Sequence, residues 1–480
     1  MLDTTKPNIL FIGIDSFRGD KFFGPNKSSK TPNIDRLIEK GVYFDQHISV
    51  SDGSYTCMGA VFTSQYPFQS GLSTVSEYSK STEIFQKFKK AGYTLFGTAP
   101  CTPFFINLLE NFDEKENFFK PGYLHQSDEQ SKQMFPYAKH TSEEYEKKGK
   151  TGPLILNRLD RIANNEIKSP WFYFIFLTDL HRSVNYNLPE EFDSEIYGET
   201  GYDRMVSMLD VWIGKFLQRI NLENTIVVIT SDHGEFIPTK KVGHEMTYIP
   251  FVFESGSKLK SKLPKIFHPL LGEAYRVIRR IIIPIRNKRL KKKLSPIEFR
   301  SLHARGSNQL KILPDDTVRV PFLLSGWKIK PKNNIISQQI RSVDIIPTLT
   351  ELVSVPFDNS QVEGTSVLPL IRGSSMPESI AFIENAVRRN PTRPGHSIGL
   401  RTSKWKYYRS LDDSTKDISL YDLENDPNEI NNIHESYPDI VKNLEKILSD
   451  MRKNAITLDD VDPEEKSKIE NLLKPFGPSA

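Results

Sequence analysis

Three apolar runs, each ending abruptly in a polar cluster, constrain the fold more than any other feature of the chain. They are Ile9-Leu-Phe-Ile-Gly-Ile14, Trp171-Phe-Tyr-Phe-Ile-Phe-Leu177 and Thr225-Ile-Val-Val-Ile-Thr230. None alternates apolar with polar, so each reads as a strand buried on both faces. The first ends in Asp15, the second in Thr178-Asp179-Leu180-His181, the third in Ser231-Asp232-His233-Gly234. Ligands of open α/β sheets collect at the carboxyl ends of such strands. An adjacent Asp and His there can reach one metal ion, provided Gly234 lets the chain turn sharply.

Between these runs lie helical patterns. Thr31-Pro32-Asn33-Ile34-Asp35 opens a helix that runs to Gly41, with Thr31 as the expected cap. Val42 to Phe44, Tyr93 to Thr98 and Arg319 to Ser325 read as further strands, and Lys80 to Lys90 and Val343 to Leu352 as helices. Tyr202 to Ile220 carries Met205, Met208, Leu209, Trp212, Ile213 and Phe216 on one side, as an amphipathic helix does. Residues 108–150 are polar and give weak signals. The alternation of strands and helices predicts an α/β sheet covered on both faces. After Gly373 short strands follow at Ile380–Ile383, Ser397–Arg401, Trp405–Tyr408 and Ser419–Tyr421, and a helix at Tyr437–Lys453. The expected organisation is a catalytic α/β domain over 1–374 and a smaller C-terminal α+β domain over 375–480.

A net charge of +4 over 480 residues argues against a nucleic-acid binder. Two cysteines, Cys57 and Cys101, exclude a disulfide framework and point to a reducing compartment. The start, Met1-Leu-Asp-Thr-Thr-Lys-Pro-Asn, is unlike a secretory signal, and no apolar run has the length of a membrane span, so a cytoplasmic location is expected. One stretch breaks the pattern. Within an insertion at about 255–310, residues 276–293 contain no acid and interleave isoleucines with Arg276, Arg279, Arg280, Arg286, Lys288, Arg289, Lys291, Lys292 and Lys293. Such a segment either lies peripherally on an anionic membrane face or docks its apolar side on its own domain.

Chemistry concentrates on a few residues. Ser54 stands at the start of an apolar helix, Cys57-Met-Gly-Ala-Val-Phe62, where backbone N–H groups and the helix dipole favour an anion. A divalent cation held by Asp15, Asp232 and His233 would also reach the Ser54 oxygen and make it a nucleophile. His181 is the expected proton donor to the leaving oxygen. His244, with His303 as a second choice, is expected to contact the transferred group.

These pieces, in this order, resemble the sulfatase family of the alkaline phosphatase superfamily. The matching segments are Asn8 to Asp20, including Arg18; Thr31 to Leu37; Thr63-Ser-Gln-Tyr-Pro67; Asp179-Leu-His181; Asn224 to Glu235; Arg319-Val-Pro321; Val343 to Thr348; and Leu420 to Glu429. The resemblance implies an alkaline-phosphatase-like three-layer sandwich with a mostly parallel sheet and a smaller C-terminal domain. It implies catalytic roles for Ser54, His181, His244 and Arg18, and metal ligation by Asp15, Asp232, His233 and Ser54. The ion is expected to be Ca²⁺, with Mn²⁺ and Zn²⁺ as alternatives. The substrate is expected to be a small-molecule or glycan sulfate ester.

Two departures qualify the resemblance. Sulfatases carry Cys-x-Pro-Ser-Arg, or Ser first, and the leading residue matures to formylglycine. Here the Pro, Ser and Arg positions hold Thr56, Cys57 and Met58, which leaves formylglycine at Ser54 unsupported. Ser16 follows Asp15 where many sulfatases have a second aspartate. Two alternatives therefore stand beside the sulfatase: a phosphodiesterase or phosphotransferase using unmodified Ser54, and a catalytically inactive binding protein.

Overall fold

The structure is a computed structural model. It describes residues 6–70, 83–100, 102–117, 151–181, 188–237, 285, 288–301, 312–358, 362–385 and 396–455. The strands in chain order are β1 (Asn8–Ile14), β2 (Val42–Phe44), β3 (His47–Ile48), β4 (Thr94–Ala99), β5 (Glu114–Asn117), β6 (Trp171–Leu177), β7 (Thr225–Ser231), β8 (Phe322–Gly326), β9 (Ile335–Ile336), β10 (Ile340–Arg341), β11 (Ala381–Glu384), β12 (Ser397–Arg401), β13 (Trp405–Ser410) and β14 (Ser419–Asp422).

Among the described residues eight strands form the central sheet, in the order β5-β4-β6-β1-β7-β8-β2-β9. Strands β5, β4, β6, β1 and β7 are parallel, and β8 runs antiparallel between β7 and β2. The three sequence runs are the adjacent central strands, and every residue of each is buried. Ile9 and Phe11 face an aromatic cluster with Phe62, Phe85, Phe88, Phe172 and Phe174. That cluster packs helices Ser54–Thr63, Glu83–Lys90 and Ile345–Leu352 on one face. The alternate residues Leu10, Ile12 and Ile14 are also fully buried, which requires a second apolar layer. Helices Pro32–Lys40, Thr151–Ala163 and Gly201–Leu217 supply it, completing a three-layer sandwich.

The helix Pro32–Lys40 begins where Thr31 and Pro32 predict. Its first N–H groups are not capped by Thr31, however. The Asp210 carboxylate, from Gly201–Leu217, accepts from Asn33 N at 3.1 Å and Ile34 N at 2.8 Å. A charged acceptor from a neighbouring helix satisfies the same orphan donors and joins two helices in doing so. Gly201–Leu217 is itself opened by a Thr200–Asp203 capping box. Within the polar stretch 108–150, Glu114–Asn117 pairs with β4 as a strand. Its signal is weak because the strand, terminal among the described residues, is charged, its acids engaged by Arg158 and Arg161.

The C-terminal strands form an antiparallel sheet, β11-β12-β13-β14, covered by helix Pro438–Met451 through Leu444 and Leu448. Cys57 and Ala60 share that core with Phe382, Ile398 and Leu400, whereas Met58, Val61 and Phe62 face the central sheet. The Ser54 helix is thus clasped between two sheets, which explains why Thr56 to Phe62 are all buried and almost wholly apolar. The chain divides into two compact units, Met1–Glu235 with Lys311–Ala480, and Phe236–Leu310. In the second, Leu290 and Leu294 pack with Phe299, while Lys288, Arg289, Lys291, Lys292 and Lys293 are exposed. Residues 276–284, 286 and 287 lie outside the described residues. No helix among the described residues is long and apolar enough to cross a membrane.

Candidate active site

The register of the central strands builds the site. Ile14 stands opposite both Leu177 and Ser231, so β1, β6 and β7 end level with one another. The next residues, Asp15 and Asp232, therefore emerge side by side, and Asp15 N donates to Leu177 O at 2.8 Å. Ser16 turns back in the left-handed region, φ +65°, and its N–H donates to Asp232 Oδ1 at 3.0 Å. That conformation costs on the order of 1 kcal/mol for a residue with a Cβ. It is held by Tyr202, whose hydroxyl donates to Ser16 O at 2.7 Å and accepts from Arg18 N at 3.1 Å. The Ser231 hydroxyl ties the turn down further, donating to Ile14 O at 2.5 Å and accepting from Phe17 N at 2.9 Å.

Asp15, Asp232 and His233 form one buried cluster whose ligating atoms all lie within 4.8 Å of one another. His233 Nδ1 lies 2.7 Å from Gly234 O. A carbonyl only accepts, so Nδ1 carries the proton and Nε2 offers a lone pair. That lone pair faces Ser54 Oγ at 3.4 Å, Asp232 Oδ2 at 3.6 Å and Asp15 Oδ1 at 3.9 Å. Burial and the Asp15 carboxylate push Asp232 above the usual carboxylate range, while His233, the Ser54 hydroxyl and the Ser16 N–H favour its charged form.

Gly234 is needed here for close approach. A Cβ on it would lie 2.1 Å from Asp316 O, and its N–H donates to Thr317 O at 2.8 Å. Its φ is not in the left-handed region, so glycine is required here by crowding against Asp316 and Thr317 and not by the sharp turn foreseen for it.

His181 joins the cluster, its Nδ1 3.1 Å from Asp15 Oδ2. Ser54 is the first residue of its helix, Ser54–Thr63, as the sequence suggests. The Arg18 guanidinium is engaged otherwise: Nε and Nη2 meet Asp20 at 2.8 and 2.9 Å, Nη2 meets Asp316 at 2.5 Å, and Nη1 donates to Glu235 O at 3.3 Å. His244 and His303 lie outside the described residues. The Cys57 thiol is fully buried and donates to Ser51 O at 3.1 Å. Burial and the Asp232 carboxylate raise it well above the ordinary thiol range, so it is inert beside Ser54. Sequence reasoning passed over Ser231, Tyr202, Asp316 and Thr317. Only the positions of Ser231 and Asp316, beside a strand-end aspartate and next to Arg319-Val-Pro321, hinted at them.

The residues fit a divalent cation. Two carboxylates and one imidazole lone pair converge, and Asp232 Oδ2 is buried without a well-formed hydrogen bond. A cation held there would sit beside the hydroxyl at the Ser54 helix N-terminus. That arrangement suits a hydrolase that moves a sulfuryl or phosphoryl group from an anionic ester to an activated oxygen.

Comparison with known proteins supports the same class. The sequence matches the sulfatase family over residues 7–355 and the N-sulphoglucosamine sulphohydrolase C-terminal family over 308–454. The chain belongs to the sulfatase family, a family of sulfuric ester hydrolases. The ulvan-active sulfatase of Formosa agariphila is 23% identical over 468 residues, covering 90% of this chain and 78% of that one. Arylsulfatase K of Gallus gallus is 31% identical over 142 residues, 27% of this chain and 25% of its own length. The chain therefore spans about a quarter of the length of the arylsulfatase K relatives it matches. Among solved structures, the phosphonate monoester hydrolase of Agrobacterium radiobacter superposes with a TM-score of 0.62 at 16% identity, covering 94% of this chain and 96% of that one. A 2-O GAG sulfatase superposes at 0.61 and 16%, covering 96% of each. These likenesses establish the alkaline-phosphatase-like fold.

Proposed function

We propose that the protein is a metal-dependent hydrolase that cleaves a sulfate ester from an anionic glycan, with Ser54 as the nucleophile. The observation that carries this reading is the 3.4 Å approach of Ser54 Oγ to His233 Nε2 within the Asp15–Asp232–His233 cluster. A divalent cation held by Asp15, Asp232 and His233 would lower the pKa of the Ser54 hydroxyl and offset charge on the ester oxygens. Ca²⁺ is favoured by the two carboxylates, with Mn²⁺ and Zn²⁺ as alternatives.

The Ser54 oxygen, having lost its proton to water, forms a bond to sulfur as the bond from sulfur to the sugar oxygen breaks. His181 gives that leaving oxygen its proton; its Nδ1 contact with Asp15 supports the role. Water then attacks the sulfur of the Ser54 ester, releasing sulfate and restoring the hydroxyl. The helix N-terminus at Ser54 favours the anion throughout. His244 contacts the transferred group in this scheme, and Arg18 acts indirectly through its hold on Asp316 and Glu235. The names of the ulvan-active sulfatase and the 2-O GAG sulfatase support a glycan substrate.

Thr56, Cys57 and Met58, in place of the maturation signal, favour a second reading. Unmodified Ser54 suits phosphoryl transfer, and a phosphonate monoester hydrolase shares the fold. Mass analysis of the Ser54 peptide, with parallel assays on a sulfate monoester and a phosphodiester, separates the two. Sulfate release, with Ser54 plain or modified, supports the first reading; plain serine with phosphodiester turnover and no sulfate release overturns it. A protein that binds no metal and turns over neither ester is the inactive binding protein.

The scarcity of cysteine supports a cytoplasmic location, and the acid-free run 276–293 supports peripheral contact with anionic lipid. Flotation with phosphatidylserine vesicles tests the latter. Equal flotation after deletion of 276–293 removes the idea.

A further inference from the structure

The short helix Asp315–Val318 joins the active-site turns to the C-terminal sheet. On one side it grips both turns. Thr317 O accepts from Gly234 N at 2.8 Å, Arg319 O accepts from Gly19 N at 2.9 Å, and Asp316 meets Arg18 at 2.5 Å. The residue so anchored, Gly234, also carries the carbonyl that orients the His233 ring.

On its other side, the Asp315 carboxylate enters a nest of buried charge. Arg401 reaches it through Nη2 at 2.8 Å and Nε at 3.2 Å, and Lys406 Nζ at 2.6 Å. Asp315 N donates to Glu429 Oε2 at 2.7 Å, and Glu429 Oε1 meets Lys406 at 2.5 Å. Gln339 and Gln46 accept from Arg401 Nη1 and Nη2 at 2.6 and 2.7 Å, and Thr402 O from Nη1 at 3.5 Å. Lys406 is 0% exposed and Arg401 3%.

The register makes this nest informative. Arg401 and Lys406 are direct cross-strand partners on β12 and β13. Two cations placed opposite each other and withdrawn from water are destabilising unless anions lie between them. Asp315 and Glu429 are those anions. The C-terminal sheet thus carries a charged socket that accepts the Asp315 carboxylate and fixes where helix Asp315–Val318 sits. Burial would raise the Asp315 carboxyl, but Arg401 and Lys406 hold it well below the usual range, whereas burial and the Asp315 charge raise the Glu429 carboxyl.

We infer that Asp315 is a positioning residue for the metal site. The C-terminal sheet holds the Asp232–Gly234 turn in its ligating geometry through the Asp315 socket, Thr317 O, the N–H and C=O of Gly234, and the His233 ring. The inference rests on the reading of Asp15, Asp232 and His233 as metal ligands, and its test separates the two.

Full-length wild type, Asp315→Asn and Asp232→Asn are stripped with chelator and titrated calorimetrically with Mn²⁺. Hydrogen exchange of the 232–235 segment is followed without metal. Asp315→Asn is expected to bind Mn²⁺ about 10- to 100-fold more weakly, as removal of groups supporting metal ligands does. Its Gly234 amide exchanges faster, and kcat recovers at saturating Mn²⁺ with KM unchanged. Wild-type affinity together with wild-type exchange in Asp315→Asn overturns the inference. If wild type binds no Mn²⁺ the metal reading fails, and the exchange rates still judge the coupling. Should Asp315→Asn fail to fold, the charge-balanced pair Lys406→Met/Glu429→Gln replaces it. Faster exchange at 232–235 then supports the socket, and an unchanged rate overturns it.

Discussion

Ser54 and Cys57 stand one helical turn apart, and their surroundings differ in what governs reactivity. Ser54 lies at the helix terminus with its oxygen facing His233, whereas the Cys57 thiol is enclosed by the C-terminal core and bonded to Ser51 O. Ser54→Ala is expected to lower kcat by about 10³-fold or more, the scale of losing a nucleophile. Cys57→Ala is expected to leave kcat unchanged. Steady-state rates on one ester substrate check both, and a loss confined to the Cys57 variant would transfer the nucleophile's role. The residue types at Asp15, Asp232, His233 and His181 were legible in the sequence because each follows a buried strand. Their partners were not. Tyr202 and Thr317 reach the site from distant segments, and no local pattern announces a hydroxyl or a carbonyl that will arrive from elsewhere.

The elements show a similar division. β1, β6 and β7 were readable because continuous burial leaves a continuous apolar signature. β5 was not, because a terminal strand of Glu, Lys, Glu and Asn carries none. The start of helix Pro32–Lys40 was readable, yet its cap comes from Asp210, far along the chain. Asp210→Ala is expected to destabilise the fold by about 2 kcal/mol, the upper end for a lost N-terminal cap, seen as a lower urea midpoint with unchanged slope. Gly234→Ala drives a methyl toward Asp316 O, 2.1 Å away, and is expected to cost about 1–3 kcal/mol by overpacking in the same measurement. A substitution neutral in stability would show that the 232–235 turn yields easily.

At the scale of the molecule, pH acts through His47. It is fully buried between Pro321 O at 3.2 Å and the Ser342 hydroxyl at 3.1 Å, and burial lowers it from 6.5 to about 4. Between those values the unfolded chain binds a proton that the folded chain refuses. The stabilising contribution is complete above pH 6.5 and is lost as pH falls toward 4, about 2–4 kcal/mol in all. Denaturation midpoints across that range should fall more steeply for wild type than for His47→Gln; parallel slopes would exclude His47 as the source.

The arrangement of β5 reaches furthest. Among the described residues one end of the wide sheet is β5, whose Glu114 and Glu116 carboxylates are tethered to Arg161 and Arg158. A stray extended peptide approaching that rim meets carboxylates and guanidinium groups flanking the strand's backbone, where an aggregation-prone edge would offer apolar side chains. Along this margin charge takes the part that a proline or a bulge plays on other sheets, and edge-to-edge pairing through β5 is disfavoured.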